Sequence, residues 1–194
     1  MQATDIAESV AMPSRATIDA LYNRIEQEKV KSVSGKYFIQ ESKLREFFTA
    51  AIIDRAVAEL ICDAPERLSL SKKIQQDGTI VFAILVSMGK ADYIVCFRNH
   101  ECLDRRLPIS EELAKEVVPA FGVSFAREFQ WQFLPYVFEQ DMHDYHREVS
   151  EVGRIFPFVD LVEKIADGGF GEVTKSTIPT PLQHFFNSKV CRFV

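Results

Sequence analysis

The stretch from Ile80 to Met88 carries no charge and a single hydroxyl, at Ser87. A run of this kind is stable only where apolar neighbours cover it on every side, so it fixes the centre of whatever the chain folds into. It ends at Gly89 and Lys90, far short of the ~20 apolar residues needed to cross a bilayer. A central strand and a buried helix both satisfy it. Ala83 and Met88 dilute the β-branched content, and a second helix-like piece, Ala91 to Asn99, follows directly, so the spacing predicts a buried helix.

A buried helix needs other helices to cover it, and the preceding sequence supplies them. Ile18, Leu21, Tyr22 and Ile25 recur at helical spacing after Ser14, a candidate N-cap, which predicts a first helix near 14–31. Ser32 to Gly35 breaks it and Lys36 to Gln40 reads as extended. Leu44, Phe47, Phe48 and Ala51 open a further helical pattern. Ile53, Ala56, Val57, Leu60 and Ile61 repeat it behind Thr49 as a cap, and Pro65 is expected to close the unit. Leu68 to Gln76 predicts a short helix ending at Asp77-Gly78.

Beyond the connector Arg105 to Pro108, Ser110 followed by Glu111 and Glu112 is an N-cap with an acidic first turn, where the helix dipole favours negative charge. Phe121, Phe125, Phe129 and Phe133 then fall at every fourth residue, a ladder of rings on one helix face that is expected to be core, with Pro135 ending it. Glu139 to Val152 reads as a charged surface helix stopped at Gly153. With 16 Phe against 1 Trp, the chain invests its aromatic content in purely apolar rings, which build cores and protein interfaces rather than base-stacking platforms.

The pattern changes at Phe156-Pro157-Phe158. Leu161 to Ile165 and Glu172 to Ile178 are short β-prone runs around Asp167-Gly168-Gly169-Phe170-Gly171. The expected fold class is therefore mainly α: a flexible start over 1–13, a helical domain over 14–153, and a β-hairpin with its tail over 154–194. Glycines at 168 and 171 let the backbone approach a phosphate, and Ile165 and Val173 stand where they could face an adenine. No helix follows the glycines, as a dinucleotide fingerprint requires, and no Gly-Lys-Ser/Thr ends the loop, as a P-loop requires.

With Ile165, Gly168, Gly169, Phe170, Gly171 and Val173 as candidate cofactor-binding residues, the segment resembles the glycine-rich loop of protein kinases, with Ala166 in place of the first glycine. Together with Gln130-Trp131-Gln132-Phe133-Leu134-Pro135 and Phe156-Pro157-Phe158, it resembles a group of fungal protein-kinase-like proteins in which a helical leader precedes the first two kinase strands. The resemblance implies ATP with magnesium as cofactor. Phosphoryl transfer, however, depends on positioning and electrostatics supplied by a lysine, a catalytic-loop aspartate and a magnesium-binding aspartate. Lys189 lacks the apolar flanks of the kinase lysine, and nothing stands for the aspartates. The expectation is a truncated, catalytically inert kinase-like protein with weak or absent nucleotide affinity, whose helical domain is a regulatory or partner-binding module. The alternative is a stand-alone helical interaction protein with a vestigial loop that binds no nucleotide. No catalytic residue is assigned.

The remaining constellations read as structure. Cys96, His100 and Cys102 have a spacing that fits no common zinc site, and His143 with His146 reads as a charge-mixed helix face, so no metal is expected. A net charge of -5 supplies no basic field for nucleic acid or an acidic membrane. The start of the chain has neither the basic nor the apolar region of a secretory signal. Protein partners and a cytoplasmic location are the expectations that follow.

Overall fold

A computed structural model describes residues 15–138, 153–168 and 171–183; for 161–168 and 171–175 only the backbone is described. The protein is mainly helical, and its described residues form two small antiparallel sheets of two strands each. The helical elements begin with α1 (Ala16–Glu28), α2 (Glu41–Phe47), α3 (Ala50–Leu60), α4 (Ala64–Asp77) and α5 (Thr79–Ser87). Later come α6 (Ile94–Asn99), α7 (Glu111–Val117), the single turn α8 (Gly122–Ser124), a π-helical turn over Phe125–Phe129 and α9 (Gln130–Phe133). Strands β1 (Val30–Lys31) and β2 (Tyr37–Phe38) form one ribbon, β3 (Val159–Gly168) and β4 (Gly171–Thr177) the other.

The apolar run is indeed the buried helix, α5, and every residue from Val81 to Ser87 is out of solvent. Its covering shell is drawn from most of the chain: Ile18, Leu21 and Ile25 of α1, Ile53, Ala56 and Val57 of α3, Leu70 and Ile74 of α4, Phe97 of α6 and Phe125 beyond α7. At ~1.5–3 kcal/mol for each large apolar side chain removed from water, this cluster is the main favourable contribution to folding.

α5 starts without a cap from its own flank, because Gly78 has no side chain to offer. The first-turn amides are satisfied instead from a distance: Asp104 Oδ2 accepts from Ile80 N at 3.0 Å and Oδ1 from Val81 N at 2.9 Å. Burial pushes the Asp104 carboxyl above its ordinary value, against the opposing effect of these two hydrogen bonds. α1 uses the same device. Glu59 accepts from Thr17 N at 2.8 Å and Ile18 N at 3.1 Å, while the expected cap, Ser14, lies outside the described residues.

Four local expectations need correction. Thr49 occupies the N-cap position of α3, but its side chain caps nothing; its carbonyl accepts from Ile52 and Ile53. Pro65 opens α4 rather than only closing what precedes it, because Asp63 caps the helix through Glu66 N at 3.0 Å and a missing N–H is harmless in the first turn. The phenylalanine ladder does not run along one regular helix. The π-helical turn widens the repeat over Phe125–Phe129, so Phe125 and Phe133 are fully buried while Phe121 and Phe129 are partly buried against the same core. Tyr22, on the expected apolar stripe of α1, is 43% exposed. The Ser110 cap is as expected, accepting from Leu113 N at 3.3 Å.

A second, smaller cluster joins segments distant in sequence: Phe38 of β2 and Trp131 of α9 with Ile155, Ile178 and Leu182. Backbone hydrogen bonds stitch the same junction, from Val33 N to Phe158 O at 2.7 Å, Tyr136 N to Ile155 O at 2.9 Å and Phe138 N to Leu182 O at 3.0 Å. The base of the β3/β4 ribbon is thereby tied to the helical body.

Candidate functional site

The glycine-rich segment folds as its sequence grammar requires, with a strand on each side of the turn. Gly168 and Gly171 are the last register pair of the β3/β4 ribbon, so only positions 169 and 170 separate the strands. Gly169 and Phe170 themselves lie outside the described residues. Below the turn the register runs Asp167 to Glu172, Ala166 to Val173 and Lys164 to Thr174.

The two strands are unequal, ten residues against seven. The difference is taken up at register shifts between Val159 and Leu161, Leu161 and Glu163, and Lys164 and Ala166. Asp160, Val162 and Ile165 are accordingly unmatched, and Asp160 adopts a left-handed φ of 56°. Such bulges bend a ribbon and increase its twist. Val173 is paired with Ala166, and Ile165 is the extra residue beside that pair. Among the described residues the ribbon has no third strand, so the backbone groups of its outer edges have no partner from a neighbouring strand.

Around the base of the ribbon the side chains are aromatic. Tyr136, Phe138, Phe156 and Phe158 form a connected group with ring centroids 4.8 to 6.5 Å apart, and Arg154 sits over Tyr136 at 5.3 Å. Phe156 is 36% exposed. The other three rings are half-buried, and Phe138 and Phe158 pack against the second core cluster.

Of the other sequence candidates, Cys96, His100 and Cys102 lie in or just beyond α6. His100 Nδ1 donates to the Cys96 carbonyl at 2.9 Å, and Cys102 Sγ donates to the His100 carbonyl at 3.3 Å, and both bonds close the end of α6. Burial pushes the Cys102 thiol up. No group of three or more His, Cys, Asp or Glu residues among the described residues could hold a metal ion. Lys189, His143 and His146 lie outside them. No helix among the described residues is long and apolar enough to cross a membrane.

Sequence reasoning missed two cavities that no motif announces. One of about 540 Å³ is lined by residues that include Glu26, Lys29, Lys36, Arg127, Gln132 and Gly153. The other, about 710 Å³, shares Lys36, Arg127 and Gly153 with it and reaches Gln130 and Trp131. Their lining comes from segments far apart in sequence, so no local spacing could have signalled them. No protein-family model, curated protein or solved structure matches the chain.

Proposed function

We propose that this chain is a protein-kinase-like protein without phosphotransfer activity, in which the helical body is a regulatory or partner-binding module and the glycine-rich hairpin is its kinase-like part. The observation that carries the reading is the antiparallel pairing of Gly168 with Gly171, which brings two residues without side chains together at the end of the ribbon, as a phosphate-covering loop needs. The aromatic group around Phe156, at the foot of that hairpin, supports a protein partner there. A ribbon of two strands offers one wall of an adenine cleft, so magnesium-ATP contact is weak.

The test is amide NMR of the full chain with millimolar magnesium-ATP. Shifts confined to Gly168, Gly169 and Gly171, lost in Gly168→Val and accompanied by no phosphate transfer, support the reading. No shift at these residues favours the second reading, a stand-alone helical interaction protein whose loop is a plain turn, which the lack of a third strand among the described residues also favours. Transfer of phosphate overturns both.

A further inference from the structure

We infer that the outer edge of β4 is an interface with a second copy of this chain, through which two ribbons join into one four-stranded antiparallel sheet in the order β3-β4-β4-β3. The starting point is what the ribbon lacks. A two-stranded hairpin is marginal in water by itself, and a further strand or a covering helix is what makes it stable. Among the described residues β3 and β4 pair with each other alone, and the ties to the helical body, at Phe158 and Ile178, hold the base of the ribbon.

The two outer edges differ. Each register shift places its extra residue on β3, at Asp160, Val162 and Ile165, whereas all seven residues of β4 have a register partner. Bulges twist an edge strand away from an incoming one, and natural sheets use them to block strand addition. The edge of β3 is broken in this way, while that of β4 is regular from Gly171 to Thr177.

Symmetry then selects the pairing. Facing residues of an antiparallel pair share one side of the sheet, so a two-fold axis normal to it passes through a residue that faces its own counterpart. With the axis at Thr174 the whole of β4 is paired: Gly171 faces Thr177, Glu172 faces Ser176 and Val173 faces Lys175. No like charges stand at facing positions, and the Thr–Thr pair at the centre is a favourable one. An axis at Glu172 or Lys175 would set like charges opposite each other, and an axis at Val173 would leave only 171–175 paired. The strand therefore supplies a full-length complement to itself, and a second copy fits the edge without a foreign segment.

The experiment is sedimentation velocity of the full chain over a range of micromolar concentrations, where a reversible dimer is expected. Thr174→Glu sets two carboxylates at the axis and should weaken the dimer by about tenfold or more. Thr174 also faces Lys164 within its own ribbon. The lysine variant is therefore made as Thr174→Lys together with Lys164→Glu, which keeps an opposite-charge pair there and should weaken self-association as much. An equimolar mixture of the two variants should dimerise again, because charges across the sheet then alternate in sign. A monomer at every concentration of the wild type, or a dimer that Thr174→Glu leaves unchanged, overturns the assignment. So does a mixture that stays monomeric while both variants keep the helical circular dichroism of the wild type.

Discussion

The side-chain amide of Gln130 pairs with the backbone of Ile109 in both directions, accepting from Ile109 N at 2.9 Å and donating to Ile109 O at 3.0 Å. It also donates to Ala126 O at 2.6 Å, and the residue is 1% exposed. A buried amide whose polar atoms are all engaged locks the chain between Leu107 and Ser110 onto the helix that carries the π turn.

Gln130→Leu keeps the volume but strands the N–H and C=O of Ile109. At about 1–3 kcal/mol for each buried group left unpaired, the variant should lose about 2–4 kcal/mol of stability. Gln130→Glu keeps the acceptor for Ile109 N but faces two carbonyls with a carboxylate, so it should fare no better at neutral pH. Urea denaturation of the three proteins checks both statements; a loss below 1 kcal/mol for both would show that the pairing is dispensable.

Two glycines should lose stability on substitution by alanine to different extents, for separable reasons. A Cβ at Gly122 would stand 2.3 Å from Ala114 O and 2.6 Å from Lys115 N, both backbone atoms that cannot swing away. Gly122→Ala should therefore cost about 3 kcal/mol or more by driving α8 off α7. At Gly89 a Cβ meets nothing within 4 Å, and only the φ of 65° resists it. Gly89→Ala should cost about 1–2 kcal/mol. Thermal melts of both variants test the ranking, and equal shifts would contradict it.

The two remote caps predict opposite pH behaviour. Burial raises the Asp104 carboxyl above its ordinary 3.8, so between that value and the folded one the native state takes up a proton that the unfolded state does not. Stability from this group therefore rises as pH falls through that window. Burial also opposes ionisation of Glu59, but the Thr17 hydroxyl and amide, the Ile18 amide and Arg15 outweigh it and hold the carboxyl below its ordinary 4.5. Its contribution is present above 4.5 and is lost as pH falls through the folded value. Denaturation from pH 7 to pH 3 should show wild type gaining on Asp104→Asn as pH falls and losing ground against Glu59→Gln. At neutral pH, Asp104→Ala should cost ~1–2 kcal/mol by leaving the Ile80 and Val81 amides uncapped.

The sequence announced those parts of the fold that rest on local pattern. The run Ile80 to Met88 could be read as a buried helix because its neighbours are helical, and Ser110 could be read as a cap because its partner is three residues away. The caps from Glu59 and Asp104 could not, because each joins a helix end to a carboxylate 23 to 42 residues distant. The π-helical turn was hidden for another reason: a phenylalanine at every fourth position fits an ordinary helix just as well, and contacts such as that of Phe125 with Phe97, whose rings lie 4.8 Å apart, join positions distant in sequence. For the candidate site, the strand–glycine–strand order was legible. The bulge at Ile165 was not, since register depends on which strand carries the extra residue.

The most direct test of the central claim is transfer of label from γ-labelled ATP with magnesium, using the full chain alone and with a mixture of protein substrates. The account predicts no incorporation above a protein-free control, into the chain or the substrates. Incorporation that rises with protein concentration and disappears in Gly168→Val would contradict it, and would make the hairpin part of a working phosphotransferase.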